Sequence, residues 1–404
     1  MNANHMVRRL WWEREDLAYR NGRLFFGNRD LLKFVQSAGT PVYVYNSERI
    51  KDNLARLAAN LKGAGLKFKI FYALKANRYL PLVTYLKLLG QCGVDVCSPA
   101  ELTQALQVGF RQNEITYTGT SVANEDLDCL QRYPAVKVNC DAISTIKRFG
   151  ARCAGRTIGI RINPRLGAGY NEALRYAGAK PTKFGIYQER FQEALDMARA
   201  YNLRVKTLHF HIGSGYLTPD IAILDDILKR CHWFLERGSD IDTLDIGGGL
   251  GVPLIEGQGP LDLARWSETI AGHARQKKLT IHLEPGDFLV KDAGVLIVQV
   301  NTVEDKGNTK FIGVNGGFNI HNAAAYYDVP FIVAPLEQDK SDTRQKITVA
   351  GNINEAIDLL AEDILLPPIQ EGDYLALLNV GGYGSANSSN HCMRGTFSEY
   401  LIVN

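Results

Sequence analysis

The alternation of hydrophobic and polar positions changes character partway along the chain. From about residue 67 to 285, short strand-like runs are separated by stretches long enough for helices. Eight runs, 67–75, 93–97, 115–118, 136–140, 157–163, 205–212, 242–246 and 279–284, read as strands. Eight strand–helix units in roughly 220 residues predict an α/β fold of the (β/α)8, TIM-barrel type. In 157–163, Ile158, Ile160 and Ile162 alternate with Gly159, Arg161 and Asn163. In 205–212, Leu208, Phe210 and Ile212 alternate with Thr207, His209 and His211. One phase can pack on helices while the polar phase lines the barrel mouth.

After residue 286 the runs Val295–Val300, Phe311–Val314, Lys346–Val349 and Tyr374–Leu378 follow one another without long helices, which predicts a separate β domain. Upstream, Asn28 is a candidate cap for a helix through Gln36, ended by Gly39 and Pro41, and Ser47 for another to about Lys62. The expected organisation is an N-terminal segment 1–40 that completes the β domain, a barrel over 41–285, and a C-terminal β domain over 286–404.

Charge alters this picture little. With 46 basic and 43 acidic residues among 404, the net charge is +3, which gives no reason to expect nucleic acid. No apolar run reaches membrane-spanning length, and Met1–Leu10 lacks the apolar stretch of a signal peptide. The seven cysteines are scattered without zinc-site spacing, so reduced thiols in a cytoplasmic protein are expected.

Barrel enzymes carry their chemistry at the C-terminal ends of strands, and four strand ends here hold unusual residues. Lys75 ends the first, on the face opposite Phe68, Ile70, Tyr72 and Leu74. Lost hydration favours its neutral amine, which makes it a candidate Schiff-base lysine; the alternative is a surface lysine where strand meets loop. His209 and His211 share one face of the sixth run, ahead of Gly213-Ser214-Gly215. A metal site would want more histidines and an aspartate at other strand ends, so no metal is expected. A ring-stacking role suits His211, and a packed core histidine suits His209 better. Gly247-Gly248-Gly249 follows the seventh strand, where barrels often bind phosphate. Glu284 should face inward and needs a cationic or proton-donating partner, unless it simply reaches solvent. Lysine, glycine loop, stacking imidazole and inward carboxylate together are what pyridoxal phosphate requires.

These residues resemble the fold type III pyridoxal-phosphate decarboxylases, specifically the diaminopimelate decarboxylase-like group. The resemblance runs from Pro41-Val42-Tyr43-Val44-Tyr45 to the C-terminus. It rests on Tyr72-Ala73-Leu74-Lys75-Ala76-Asn77, Asp95-Val96-Cys97-Ser98, His211-Ile212-Gly213-Ser214, Gly247–Gly249, Glu284-Pro285-Gly286, Gly382-Tyr383-Gly384 and Ser388-Ser389-Asn390. It implies a homodimer with shared active sites and pyridoxal phosphate as cofactor. Lys75 then looks like the lysine bonded to the cofactor aldehyde, His211 like the stacking histidine and Glu284 like the partner of the pyridine nitrogen. Ser214, Gly247, Gly248, Gly249 and Tyr383 would hold phosphate, with Asp95 and Arg161 close by.

The substrate side departs from the family. Its Cys-Glu pair, from the partner subunit, falls on Asn354-Glu355, and an amide cannot deliver a proton as that cysteine does. Two arginines fall on Asp287 and Ala323, while Tyr327 keeps the motif tyrosine. Asp287 could favour a cationic distal group or be a solvent-facing loop aspartate. Asp287, Tyr327, Asn354 and Glu355 are therefore the candidate substrate residues. The expectation is α-decarboxylation of an amino acid or biosynthetic intermediate, free or carrier-bound, other than diaminopimelate. A racemase, a decarboxylase that also transaminates, and a non-catalytic cofactor-binding regulator are the alternatives.

Overall fold

The computed structural model describes residues 10–178, 180–338 and 343–403; residues 1–9 of the N-terminal segment lie outside the described residues. A small antiparallel sheet of β1 (Leu17–Arg20), β2 (Arg23–Phe26) and β3 (Arg29–Asp30) leads into helix Leu31–Ala38. The cap of that helix is Asp30 rather than Asn28: its carboxylate accepts from the Leu32 and Lys33 N–H groups at 3.1 and 3.2 Å. Asn28 lies in the preceding turn at φ 65°. Likewise Asn46, not Ser47, caps helix Ser47–Gly63, accepting from Glu48 N–H at 3.2 Å.

Strand β4 (Val42–Asn46) precedes this helix but is no part of the barrel, which corrects the boundary drawn at residue 41. All five of its residues are buried, and it pairs with strands of the C-terminal sheet on both edges. A strand with no solvated face satisfies its backbone wherever two free edges meet it, and alternation cannot say which sheet supplies them.

The barrel closes over eight parallel strands: β5 (Phe68–Ala73), β6 (Gly93–Val96), β7 (Ile115–Tyr117), β8 (Lys137–Cys140), β9 (Thr157–Arg161), β10 (Arg204–His209), β11 (Thr243–Asp245) and β12 (Thr280–Leu283). Neighbours in this order are hydrogen-bonded, and β12 returns to β5 through Ile281 against Phe68. Aliphatic side chains such as Ile160, Leu208, Leu244 and Ile281 are buried against the surrounding helices, in the phase that alternation predicts.

The second sheet is built on the long β13 (Gly294–Lys306), with β14 (Thr309–Val314), β15 (Ile332–Pro335), β16 (Gln345–Ala350), β17 (Leu359–Leu366), β18 (Tyr374–Leu378) and β19 (Ser398–Ile402). Leu17, Leu24, Phe26, Leu31 and Val35 of the N-terminal segment form one buried cluster with Val295, Ile297 and Ala376 of this sheet. Two hydrogen bonds join the sheet's loop 379–384 to the turn carrying Lys75. Asn77 Nδ2 donates to Gly381 O at 2.9 Å, and Tyr383 N–H donates to Ala76 O at 2.7 Å.

Candidate active site

Lys75 sits in a short helical turn, Leu74–Ala76, directly after β5. The turn is anchored across the barrel by Ala73 N–H donating to Pro285 O at 3.1 Å. The side chain enters a cavity of about 350 Å³ at the C-terminal mouth, which Arg161, His211, Gly248 and Glu284 also line. Lys75 is about 38% exposed there, and its Nζ donates to Asp95 Oδ2 at 3.0 Å. The expectation of a neutral amine is corrected. Burial works against the ammonium more than any single neighbour, but Asp95, Tyr383, Glu284 and Cys97 together outweigh it and hold the lysine well above its usual range. Asp95, itself buried, is pushed up to about 8 by burial and by the charge of Glu284, against the pull of Lys75.

Glu284 follows β12 and is buried beneath the mouth. Its Oε1 accepts from Thr118 Oγ1 at 2.9 Å and its Oε2 from His209 Nε2 at 3.1 Å. Burial alone would raise its carboxyl; His209, Lys75 and the Thr118 hydroxyl reverse that and bring it to about 2. His209 is fully buried, and desolvation lowers it while Glu284 pulls it up. It is thus the partner of a buried carboxylate and not merely a packed ring. Asp245 completes a buried trio: one ligand-type atom from each of His209, Asp245 and Glu284 lies within 4.8 Å of the others. Desolvation and the charge of Glu284 raise Asp245 well above the carboxylate range. Both oxygens of Glu284 already have protein partners, and a proton kept on Asp245 lets the two acids coexist.

The glycine loop shows why its residues lack side chains. A Cβ on Gly248 would stand 2.2 Å from Glu284 O, and one on Gly249, at φ 95°, 2.0 Å from Gly213 O. The Gly248 N–H donates to His211 Nδ1 at 3.3 Å, which places the ring proton on Nε2. Burial and the neighbouring Arg161 and Lys75 charges keep His211 far below its usual pKa, hence neutral. Its ring lies 5.1 Å from that of Tyr176. Arg161 is buried with its guanidinium 4.6 Å from the Phe184 ring centroid. Ser214 and Tyr383 line both this cavity and a smaller one beside it.

The smaller cavity, about 70 Å³, is lined by Asp287, Lys291, His321, Ala323 and Tyr327 among others. Asp287 is buried at the start of a short helix, Asp287–Val290, not solvent-facing. Its Oδ2 is 3.3 Å from Lys291 Nζ. Asn354 and Glu355 do not join this group within one chain. Both are exposed, and Glu355 Oε1 lies 3.4 Å from His391 Nε2.

Sequence reasoning missed Thr118, Asp245, Lys291 and His321. Asp245 stands at the end of the seventh strand, two residues before its glycines, and a strand-end carboxylate is a signal that could have found it. Lys291 stands four residues after Asp287, the helical spacing that pairs side chains.

A family model described as "Pyridoxal-dependent decarboxylase, pyridoxal binding domain" matches residues 47–291. The chain belongs to this family. Among its relatives, a diaminopimelate decarboxylase from Methanothermobacter thermautotrophicus is 34% identical over 94% of this chain and 91% of that protein. One from Aquifex aeolicus is 32% identical over 96% of this chain and 92% of that protein. A crystal structure of diaminopimelate decarboxylase from M. jannaschii in co-complex with L-lysine superposes with a TM-score of 0.88. It is 27% identical, covering 96% of this chain and 93% of that one. The chain is thus a pyridoxal-phosphate-dependent carboxy-lyase acting on an amino acid. The close-packed glycine cradle, the reachable Lys75 and the buried, hydrogen-bonded Glu284 fit that cofactor.

These kinships overturn the expectation of a substrate other than diaminopimelate. Relatives at 29–34% identity over nearly the full chain carry that name, despite Asp287, Ala323 and Asn354 here. The racemase, transaminase and regulator alternatives fall with it. The substitutions misled because they were read one position at a time; Lys291, which puts a cation back beside Asp287, carries no motif.

Proposed function

We propose that this chain decarboxylates diaminopimelate, with pyridoxal phosphate bound at the barrel mouth. The observation that carries the reading is near full-length kinship with proteins named for that reaction. Bound there, pyridoxal phosphate supplies an electron sink for the pair left when carbon dioxide departs. Lys75 would bond the cofactor aldehyde, and the amides of Gly247–Gly249 with Ser214 and Tyr383 would hold its phosphate. Glu284, kept ionised by His209 and Thr118, stabilises a proton on the ring nitrogen. Neutral His211 offers a flat ring face without a competing charge. Asn354 cannot act as an acid, so the proton that replaces the carboxylate comes from Lys75 Nζ, which Asp95 keeps charged.

Asn354 and Glu355 reach a cavity only if a second chain presents one. We therefore infer a homodimer with shared sites, checked by its mass in sedimentation. Seven unpaired cysteines support a cytoplasmic location, checked by cell fractionation.

The test of activity measures carbon dioxide release from diaminopimelate, arginine, ornithine and lysine. Diaminopimelate should be turned over best, and Lys75→Ala should lose roughly 10³-fold or more together with the cofactor's visible absorbance. Equal turnover of another amino acid, or an active Lys75→Ala protein, overturns the reading.

A further inference from the structure

The small cavity beside the cofactor site holds several buried polar atoms without partners. Asp287 and Lys291 are each about 6% exposed and form an ion pair, Lys291 Nζ to Asp287 Oδ2, at 3.3 Å. Asp287 Oδ1 nevertheless has no partner. Beside them, His321 Nδ1 accepts from Ala323 N–H at 3.4 Å, so the ring proton is on Nε2, and that N–H donates to nothing. Asn322 Oδ1 is also unpartnered. Lysine and histidine thus present donors, and aspartate and asparagine present acceptors, around one space.

A purely structural ion pair explains this poorly. A buried pair adds little net stability, and its remaining atoms are usually satisfied within the protein. Here Asp287 Oδ1 is left over, one helical turn from Lys291, in a cavity that shares Ser214, Asp287 and Tyr383 with that of Lys75. The space itself exists partly because Ala323 is small. Gly382 packs so closely that a Cβ there would stand 2.6 Å from Asp287 Oδ1, so the backbone has been brought right against this carboxylate. A ligand with both an anionic and a cationic group at one end would satisfy every leftover atom.

We propose that Lys291 and Asp287, with His321 and Asn322, form a subsite that binds the distal amino-acid group of the substrate as a zwitterion. Lys291 and His321 take its carboxylate, and Asp287 and Asn322 take its ammonium. This rests on the diaminopimelate reading, since only a substrate with an amino acid at each end keeps such a group away from the reacting carbon. It also explains how the chain does without cations at positions 287 and 323: one lysine, paired with an aspartate, reads both charges.

Loss of one carboxylate from diaminopimelate leaves lysine, whose remaining amino-acid group is the distal one. Equilibrium binding to the holoenzyme by calorimetry can therefore test the subsite without turnover. The probes are L-lysine, cadaverine, which lacks the carboxylate, and 6-aminohexanoate, which lacks the α-amine. L-lysine should bind at least about tenfold tighter than either. Lys291→Met should bring the preference over cadaverine to within about threefold, and Lys291→Arg should retain most of it. Equal binding of the three probes by the wild-type protein, a comparison that needs no variant to fold, overturns the subsite. So does a Lys291→Met protein that keeps the preference. A wild-type enzyme that decarboxylates diaminopimelate yet fails this test ends only the subsite. One that releases no carbon dioxide from diaminopimelate ends the reading on which it rests.

Discussion

Two adjoining cavities meet at Asp287 and Tyr383, and they stand on different parts of the fold. The cofactor half stands on the ends of barrel strands, and its ionised groups pair with one another, although Asp95 Oδ1, His209 Nδ1 and Asp245 Oδ2 lack partners. Lys75 has Asp95; Glu284 has His209 and Thr118. The distal half stands on a four-residue helix, a loop and the first residue of helix Ala323–Tyr327, and it leaves buried polar atoms unpaired. A site that supplies chemistry must be in place before anything binds, and strand ends fixed by eight-fold pairing provide that. A site that supplies selectivity can leave groups for the ligand to complete, because an ill-fitting ligand then strands them.

The strongest way to break this comparison is at Glu284. Glu284→Gln keeps the size of the side chain and lets His209 Nε2–H still donate to an oxygen, but removes the charge. Turnover of diaminopimelate should fall by roughly 10²–10³-fold, with KM changed far less. If the loss appears mainly in KM, the cofactor half is not the part that supplies chemistry. A smaller effect is expected at Gly248. Gly248→Ala puts a methyl 2.2 Å from Glu284 O, and the backbone must shift to admit it. It should cost about 1–3 kcal/mol in thermal or denaturant unfolding and weaken cofactor binding. A variant as stable as the wild type, with cofactor binding unchanged, would mean the cradle is looser than its contacts imply.

How much of this was legible beforehand follows the same division. The barrel was readable because Ile158, Ile160 and Ile162 alternate with polar neighbours, and buried parallel strands separated by helices leave few other folds. Glu284 and Gly247–Gly249 could be placed because their position along the barrel gave them meaning. Strand β4 was misplaced because a strand followed by a helix looks like a barrel unit until its pairing is seen. Strands β15, β17 and β19 were missed, two of them short and β17 strongly polar on its exposed face. The distal half was misread for a different reason. Its meaning lies in Asp287 and Lys291, one helical turn apart, meeting His321 from a distant loop, and Lys291 has no motif. Reading Asp287 and Ala323 as losses was sound residue by residue, but the compensating lysine is visible only once the helix is folded.

The mildest test probes the distal half by acid. His321 is buried, and burial first, then Lys291, lowers it from its usual range to about 3. The folded protein holds it neutral, whereas the unfolded chain takes up a proton as the pH drops below about 6.5. Stability falls wherever the unfolded state binds more protons as pH decreases. The contribution of His321 is therefore complete above pH 6.5 and is lost as the pH falls from there toward about 3. Glu284 behaves in the same sense but later, between its ordinary value and about 2. His282, lowered to about 4 chiefly by burial, and His209 and His211, lowered chiefly by burial, share the first window but lie outside the distal cavity, so the comparison is between the two proteins and not between windows. His321→Gln should remove one share of the early loss, roughly 1.4 kcal/mol for each pH unit crossed below 6.5. Midpoints of unfolding for the two proteins should thus converge from pH 7 to 5.5, while the later loss from Glu284 stays in both. Parallel midpoints over that range would show that the distal cavity does not keep His321 neutral.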